Sequence, residues 1–257
     1  MKQLKRPRSD RPRCGGRESN FLADSRRPVF KQAVTMQTCG NIPKIIRNDE
    51  NFYEGNLIHY FRAVFNHARN LRHPYHNFRH IFHVVWLCYQ ACLFYRDKLN
   101  PTEMRNLLIA ALFHDFDHSG LLGDDDINIM RAVRGIQRHL LEEDKPHLPD
   151  IIALIETTEY PYKQNSAQLG LLAQIIRDAD LTQALNVAWV QQVIFGLASE
   201  FNKTPVEVLK MQGPFMLALN FSTEWGQQMF PKSEIAEKVK EAGEFLDLLG
   251  ETNPSLG

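Results

Sequence analysis

Asn100-Pro101-Thr102-Glu103-Met104-Arg105-Asn106-Leu107-Leu108-Ile109-Ala110-Ala111-Leu112-Phe113-His114-Asp115 is the stretch that decides the fold. An asparagine at the cap, a proline at the first helical position and a glutamate three residues after the cap make a helix start, because the two side chains satisfy each other's unpaired backbone N–H groups. Leu107, Leu108, Ala111 and Leu112 then recur at spacings of one, three and four, so the pattern predicts a helix with an apolar face. That helix runs directly into His114 and Asp115. Thr204-Pro205-Val206-Glu207 repeats the same start. Leu57, Ile58, Phe61, Val64, Phe65 and Ala68 form a helical stripe upstream. Ile235, Val239, Ala242, Phe245, Leu246 and Leu249 form another that stops at Gly250, an expected C-terminal cap. No stretch alternates strictly between apolar and polar residues with turn residues at its ends, and no internal repeat is visible. The expected fold class is all-α, a compact multi-helix bundle of about eight to ten helices.

The chain has 257 residues, 44% of them hydrophobic and 23% charged, which excludes collagen, coiled coil and wholesale disorder and leaves ample chain for a real core. Thirty basic and thirty acidic residues cancel, which argues against a nucleic-acid or membrane field over the whole surface. Residues 1–27, however, hold nine Lys/Arg against three Asp/Glu. The basic charge therefore belongs to the N-terminal stretch. Residues 1–45 are expected to be a basic, flexible extension, 46–250 the folded catalytic body, and 251–257 a short tail. Contact with nucleic acid is expected only through that extension. Cys14, Cys39, Cys88 and Cys92 fit neither a disulfide framework nor a zinc knuckle, and Cys88 with Cys92 read as a packed apolar pair. With no apolar run near the roughly 18 residues of a membrane span, a cytoplasmic protein that does not enter membranes is expected.

Six of the ten histidines (His73, His76, His80, His83, His114 and His118) fall within 46 residues. In Tyr75-His76-Asn77-Phe78-Arg79-His80 the two histidines are four apart and would share one face of a helix, one binding metal and its neighbour facing substrate. In Phe113-His114-Asp115-Phe116-Asp117-His118-Ser119-Gly120 an apolar helix delivers imidazole, carboxylate and imidazole together. Such a group is costly to bury unless a cation sits within it. In Ile175-Ile176-Arg177-Asp178-Ala179-Asp180-Leu181 another apolar stretch carries acid inward; Asp180 is the carboxylate expected against the histidines, with Asp178 facing elsewhere. Two imidazoles and two carboxylates suit Zn, Mn, Fe or Mg, and a bridging carboxylate could clamp two such ions on a phosphoryl oxygen.

These three motifs, in this order, resemble the HD-domain metal-dependent phosphohydrolases, and most closely the catalytic domain of the 3′,5′-cyclic nucleotide phosphodiesterases, over about residues 52–230. The resemblance implies an all-helical bundle around a central metal site. His80, His114, Asp115 and Asp180 would hold the tighter of two divalent ions, with Asp115 bridging to the second. Metal-bound hydroxide would attack the phosphorus of a cyclic nucleotide, and His76 would protonate the departing O3′ to leave a nucleoside 5′-monophosphate. His118 would act beside the metals or on the phosphate, and Asn77 would orient substrate or its neighbours. Gln228 and Phe230 fall near the distance at which the family carries its purine-binding glutamine and aromatic clamp. The chain departs from the family in a shorter stretch between Gly120 and Thr157 and in Asp124-Asp125-Asp126. Other readings are an HD-type nucleotidase or pyrophosphohydrolase, a di-iron oxygenase, and a non-catalytic nucleotide-sensing module.

Overall fold

The computed structural model describes residues 57–123 and 125–251. The basic extension expected over 1–45, Cys14, Cys39, Asp124 and the tail from 252 onward lie outside the described residues.

Every regular element among the described residues is helical. In chain order they are α1 (Ile58–His67), α2 (Phe78–Phe94), α3 (Pro101–Phe113), α4 (Asp125–His139), α5 (Leu148–Glu156), α6 (Leu171–Asp180), α7 (Gly196–Glu200), α8 (Pro205–Ala218), α9 (Glu224–Met229) and α10 (Lys232–Leu248). Short 3-10 turns link them, and a π-helical turn, Val190–Phe195, leads into α7.

Both anticipated helix starts are present. Asn100 Oδ1 accepts from the Glu103 N–H at 2.9 Å and Glu103 returns the bond to the Asn100 N–H at 2.8 Å. Thr204 and Glu207 do the same at the head of α8. Gly250, with φ +69°, takes the left-handed conformation that ends α10.

The helix α3 is the centre of the body. Every residue from Met104 to Phe113 is buried, so the helix is covered all round, by α2, α5, α6 and α1 among others. Arg105 lies within this apolar shell because Asp144 meets it with two bonds, at 2.7 and 2.8 Å, while Tyr60 donates its hydroxyl to the same carboxylate. Cys88 and Cys92 are buried free thiols on α2, and burial pushes both thiols well above their ordinary range, which keeps them unreactive. A second apolar cluster, including Trp189, Val193, Ile194, Val208, Leu209, Met216 and Leu246, joins the π-turn, α7, α8 and α10. It fixes α7, and so Glu200, against the first half of the body.

Two stripes are narrower than their periodicity predicts. On α1, Leu57 and Val64 are fully buried while Phe65 is exposed and stacks on Phe61 and edge-on to Phe78. On α10, Ile235, Ala242 and Leu246 are buried, whereas Leu249 is exposed.

Candidate active site

The helix α3 ends at Phe113, and the chain turns out of it through Asp117 (φ +62°) and Gly120 (φ +73°). That turn leaves His114 and Asp115 at the buried end of the helix. His80 reaches the same point from the first turn of α2, and Asp180 from the last residue of α6. His80 Nε2 lies 3.0 Å from Asp180 Oδ1 and 3.3 Å from Asp115 Oδ2; His114 Nε2 lies 3.5 Å from each carboxylate and 3.3 Å from His80 Nε2. The four side chains expected to share a cation are thus brought together.

Each imidazole is turned by a bond on its far nitrogen. His114 Nδ1–H donates to the Ala111 carbonyl at 2.8 Å, and His80 Nδ1–H donates to Gln183 Oε1 at 2.6 Å. Gln183 is itself oriented by donating to Gln192 Oε1. Both Nε2 atoms therefore face two carboxylate oxygens, where a cation could take the place of the proton they share. Asp115 Oδ2 is buried without a hydrogen-bond partner, and such a group is expensive to leave alone. Burial opposes charge on His114, yet Asp115 and Asp180 carry its pKa up to about 9. Burial likewise works against the two carboxylates as anions, but the facing imidazoles hold Asp115 down at about 2 and Asp180 well below the ordinary range. The field calls for positive charge. Ligands about 2.0–2.1 Å from a tetrahedral ion are about 3.3 Å apart, and the separations of 3.0–3.5 Å between the imidazoles and from each imidazole to each carboxylate match that spacing. The residues fit a divalent cation.

The other expected residues divide. His76 does not share a helix face with His80. Asn77 is the N-cap of α2, in extended conformation, with its side chain accepting from the Arg79 N–H, so His76 lies outside the helix. It is nonetheless close: its ring centre is 5.8 Å from that of His80 and 3.6 Å from that of His118, on which it stacks. Asn77 donates to the carbonyls of His73 and Pro74, orienting its neighbours at the helix start, and it also lines a cleft with Tyr75, Arg79 and Gln183. His118 accepts from the Gly120 N–H and meets Asn128 through its other nitrogen. Burial drives its pKa down to about 4, so it is a neutral neighbour of His76 and no proton donor near neutral pH. Asp178, as expected, faces away, accepting from Ser222 and Thr223 at the head of α9. Gln228 and Phe230 are not brought to the cluster. Gln228 is exposed and donates to Glu224 on its own helix; Phe230 packs on Phe221 and lines a 570 Å³ groove with Glu234, Glu237, Lys238, Lys240, Glu241 and Glu244. That groove shares no residue with the cluster, which corrects the expectation of a nucleotide site there.

Three participants carry no mark in the sequence. Glu200, at the end of α7, has a side chain 3% exposed, sits 2.5 Å from His76 Nδ1 and accepts from the backbone N–H groups of Tyr75 and His76. Burial resists ionisation of Glu200, but the bond to His76 holds its pKa near 2. On His76, burial disfavours the charge and Glu200 more than offsets that, so its pKa is raised. Gln183 is the second, setting His80 as described. The third is Asn70, fully buried, whose amide donates to the carbonyls of His76 and Asp115 at 2.7 and 2.8 Å and accepts from the Asp117 N–H. It ties the His76 loop to the turn that carries Asp115.

An all-helical body with imidazoles and carboxylates converging at its centre, and a histidine–glutamate pair beside them, defines a site able to hold a cation next to an acid–base pair. More particularly, residues 75–132 match the family model of the 3′,5′-cyclic nucleotide phosphodiesterases, which supports a phosphodiesterase-like phosphoric ester hydrolase. The match takes in His76, His80, His114, Asp115 and His118; Asp180 and Glu200 lie beyond it and join them in space. No curated protein matches the chain. Among the described residues no helix is long and apolar enough to cross a membrane.

Proposed function

We propose that the protein hydrolyses a 3′,5′-cyclic nucleotide to the nucleoside 5′-monophosphate, with His80, His114, Asp115 and Asp180 holding a divalent cation and His76 serving as the acid. The observation that carries this reading is the convergence of His80, His114 and Asp180, with Asp115 3.3 Å from His80 Nε2, beside the His76–Glu200 pair. A cation held there supplies Lewis acidity at the phosphoryl group and activates water. His76 gives its Nδ1–H to Glu200, which leaves Nε2 to hand a proton to O3′. An alkoxide leaving group needs that proton more than a pyrophosphate does, so the pair favours a phosphodiester over the pyrophosphohydrolase alternative. His118, stacked on His76 and uncharged, fixes the plane of the acid without competing for its proton.

A cleft of 240 Å³ lined by Tyr75, Arg79, Gln183, Gln192 and Phe195 adjoins the cluster through Gln183 and Tyr75. Its amides and the half-exposed Phe195 ring offer the polar and stacking contacts a nucleobase uses, in place of Gln228 and Phe230. The test is product analysis by chromatography after incubation with Mg²⁺ or Mn²⁺ and cAMP, cGMP, nucleoside monophosphates and dinucleotides. A 5′-monophosphate from a cyclic nucleotide is expected; turnover of monophosphates alone would overturn the assignment in favour of a nucleotidase.

A further inference from the structure

Outside the four-residue cluster, His73, His118 and Glu200 bring two imidazole nitrogens and a carboxylate oxygen within 4.8 Å of one another. His73 Nδ1 and His118 Nδ1 each lie 4.0 Å from Glu200 Oε1. The side chains of His118 and Glu200 are buried, whereas that of His73 is 30% exposed and so leaves a way in from solvent. Its Nδ1 atom, though buried, has no hydrogen-bond partner. The wall between them is Gly120. A Cβ there would stand 3.1 Å from the His73 ring and 3.2 Å from Glu200 Cγ, so only glycine leaves the space open.

We propose that His73, His118 and Glu200 form a second, inhibitory site for a transition-metal ion such as Zn²⁺, whose occupation takes Glu200 away from His76. The inference rests on the phosphodiesterase reading for its consequence, though not for the binding itself. The site shares no residue with His80, His114, Asp115 and Asp180. Two imidazoles and one carboxylate are a donor set that zinc accepts with a fourth position left to water, while Mg²⁺ and Ca²⁺ ask for oxygen ligands. The donors must close from 4.0 Å to about 3.3 Å. His73, part exposed on the loop before α2, is the side chain free to make that movement. Binding also displaces the Gly120 N–H from His118 Nδ1 and competes with His76 for Glu200 Oε1. Those costs make the site weaker than the central cluster, which is what a reversible control site requires. With Glu200 turned to the metal, His76 loses the carboxylate that orients and charges it.

The experiment uses the full chain, with the central cluster saturated by Mn²⁺, titrated with Zn²⁺ while cyclic nucleotide turnover and Zn²⁺ binding are followed in parallel, in the wild type and in His73→Ala. His73→Ala is expected to keep the zinc-free rate, to show one binding event fewer by calorimetry, and to need about tenfold or more zinc for half-inhibition, since even the outer partners of a ligand are worth that much. Equal inhibition of the two proteins would overturn the proposal by placing the effect at the central cluster. Equal binding would remove the site, and extra binding in the wild type without inhibition would overturn its regulatory role. If neither protein turned over any cyclic nucleotide, the phosphodiesterase reading would fail separately, while the calorimetric difference would still support or refute the metal site.

Discussion

Replacing Glu200 with glutamine isolates the charge that the fold places behind His76. The wild-type carboxylate accepts His76 Nδ1–H at 2.5 Å through one oxygen and the Tyr75 and His76 backbone N–H groups at 2.8 and 3.1 Å through the other. A charge-assisted bond is roughly twice as strong as a neutral one, so an amide oxygen facing His76 forfeits about 1.5 kcal/mol of support for the imidazolium. The amide nitrogen must then face two backbone donors, and leaving these unpaired in a buried site costs about 1–3 kcal/mol more. The unpaired donors lower stability in ground and transition state alike, so the lost support of about 1.5 kcal/mol sets the fall in kcat at about tenfold. The pH profile separates positioning from mere structure. His76 acts only when protonated, and Glu200 raises its pKa; turnover therefore falls as pH rises through that pKa, and in Glu200→Gln the fall moves to lower pH. The assay is kcat and KM for a cyclic nucleotide across the pH range, with metal content measured on the same samples. The reasoning is refuted if kcat and its alkaline limb are unchanged, or if the variant has lost its metal.

Three further outcomes follow from other contacts. His76→Ala should retain metal, by elemental analysis, and lose about 10²-fold or more in kcat, the scale of a positioned acid; loss of the metal would instead make His76 a ligand. Gln183→Leu removes the acceptor that turns His80, and is expected to weaken metal binding by about 10- to 100-fold in a calorimetric titration and, by leaving the buried His80 Nδ1–H unpaired, to destabilise the metal-free protein by about 1–3 kcal/mol. Asn70→Leu leaves two carbonyls and one N–H of the two site loops unpaired, which should destabilise the protein by about 3 kcal/mol in denaturant unfolding and impair turnover.

The helices were legible where local chemistry marks them: the two capping boxes and the Gly250 stop need only a few consecutive residues, and the pattern of α3 needs only its own periodicity. The central cluster was legible for a related reason, since burying His-Asp at the end of an apolar helix demands a partner whatever the rest of the chain does. Four-residue spacing misled for His76 because it assumed an unbroken helix, whereas Asn77 caps α2 one residue later. Glu200 was not legible. It lies 124 residues from His76 in an ordinary Ala-Ser-Glu-Phe context, and only the packing of α7 through the second apolar cluster brings the two together. Gln228 and Phe230 show the opposite failure, where distance along the chain stood in for distance in space and the amide turned to Glu224 instead.

The most direct test of the account is metal content and cyclic nucleotide turnover measured together on the wild type and on Asp115→Ala. The wild type should hold a divalent ion through purification and release a 5′-monophosphate, and Asp115→Ala, folded by circular dichroism, should lose both the ion and the product. Full turnover by Asp115→Ala, or turnover by wild-type protein stripped of all metal, would contradict it.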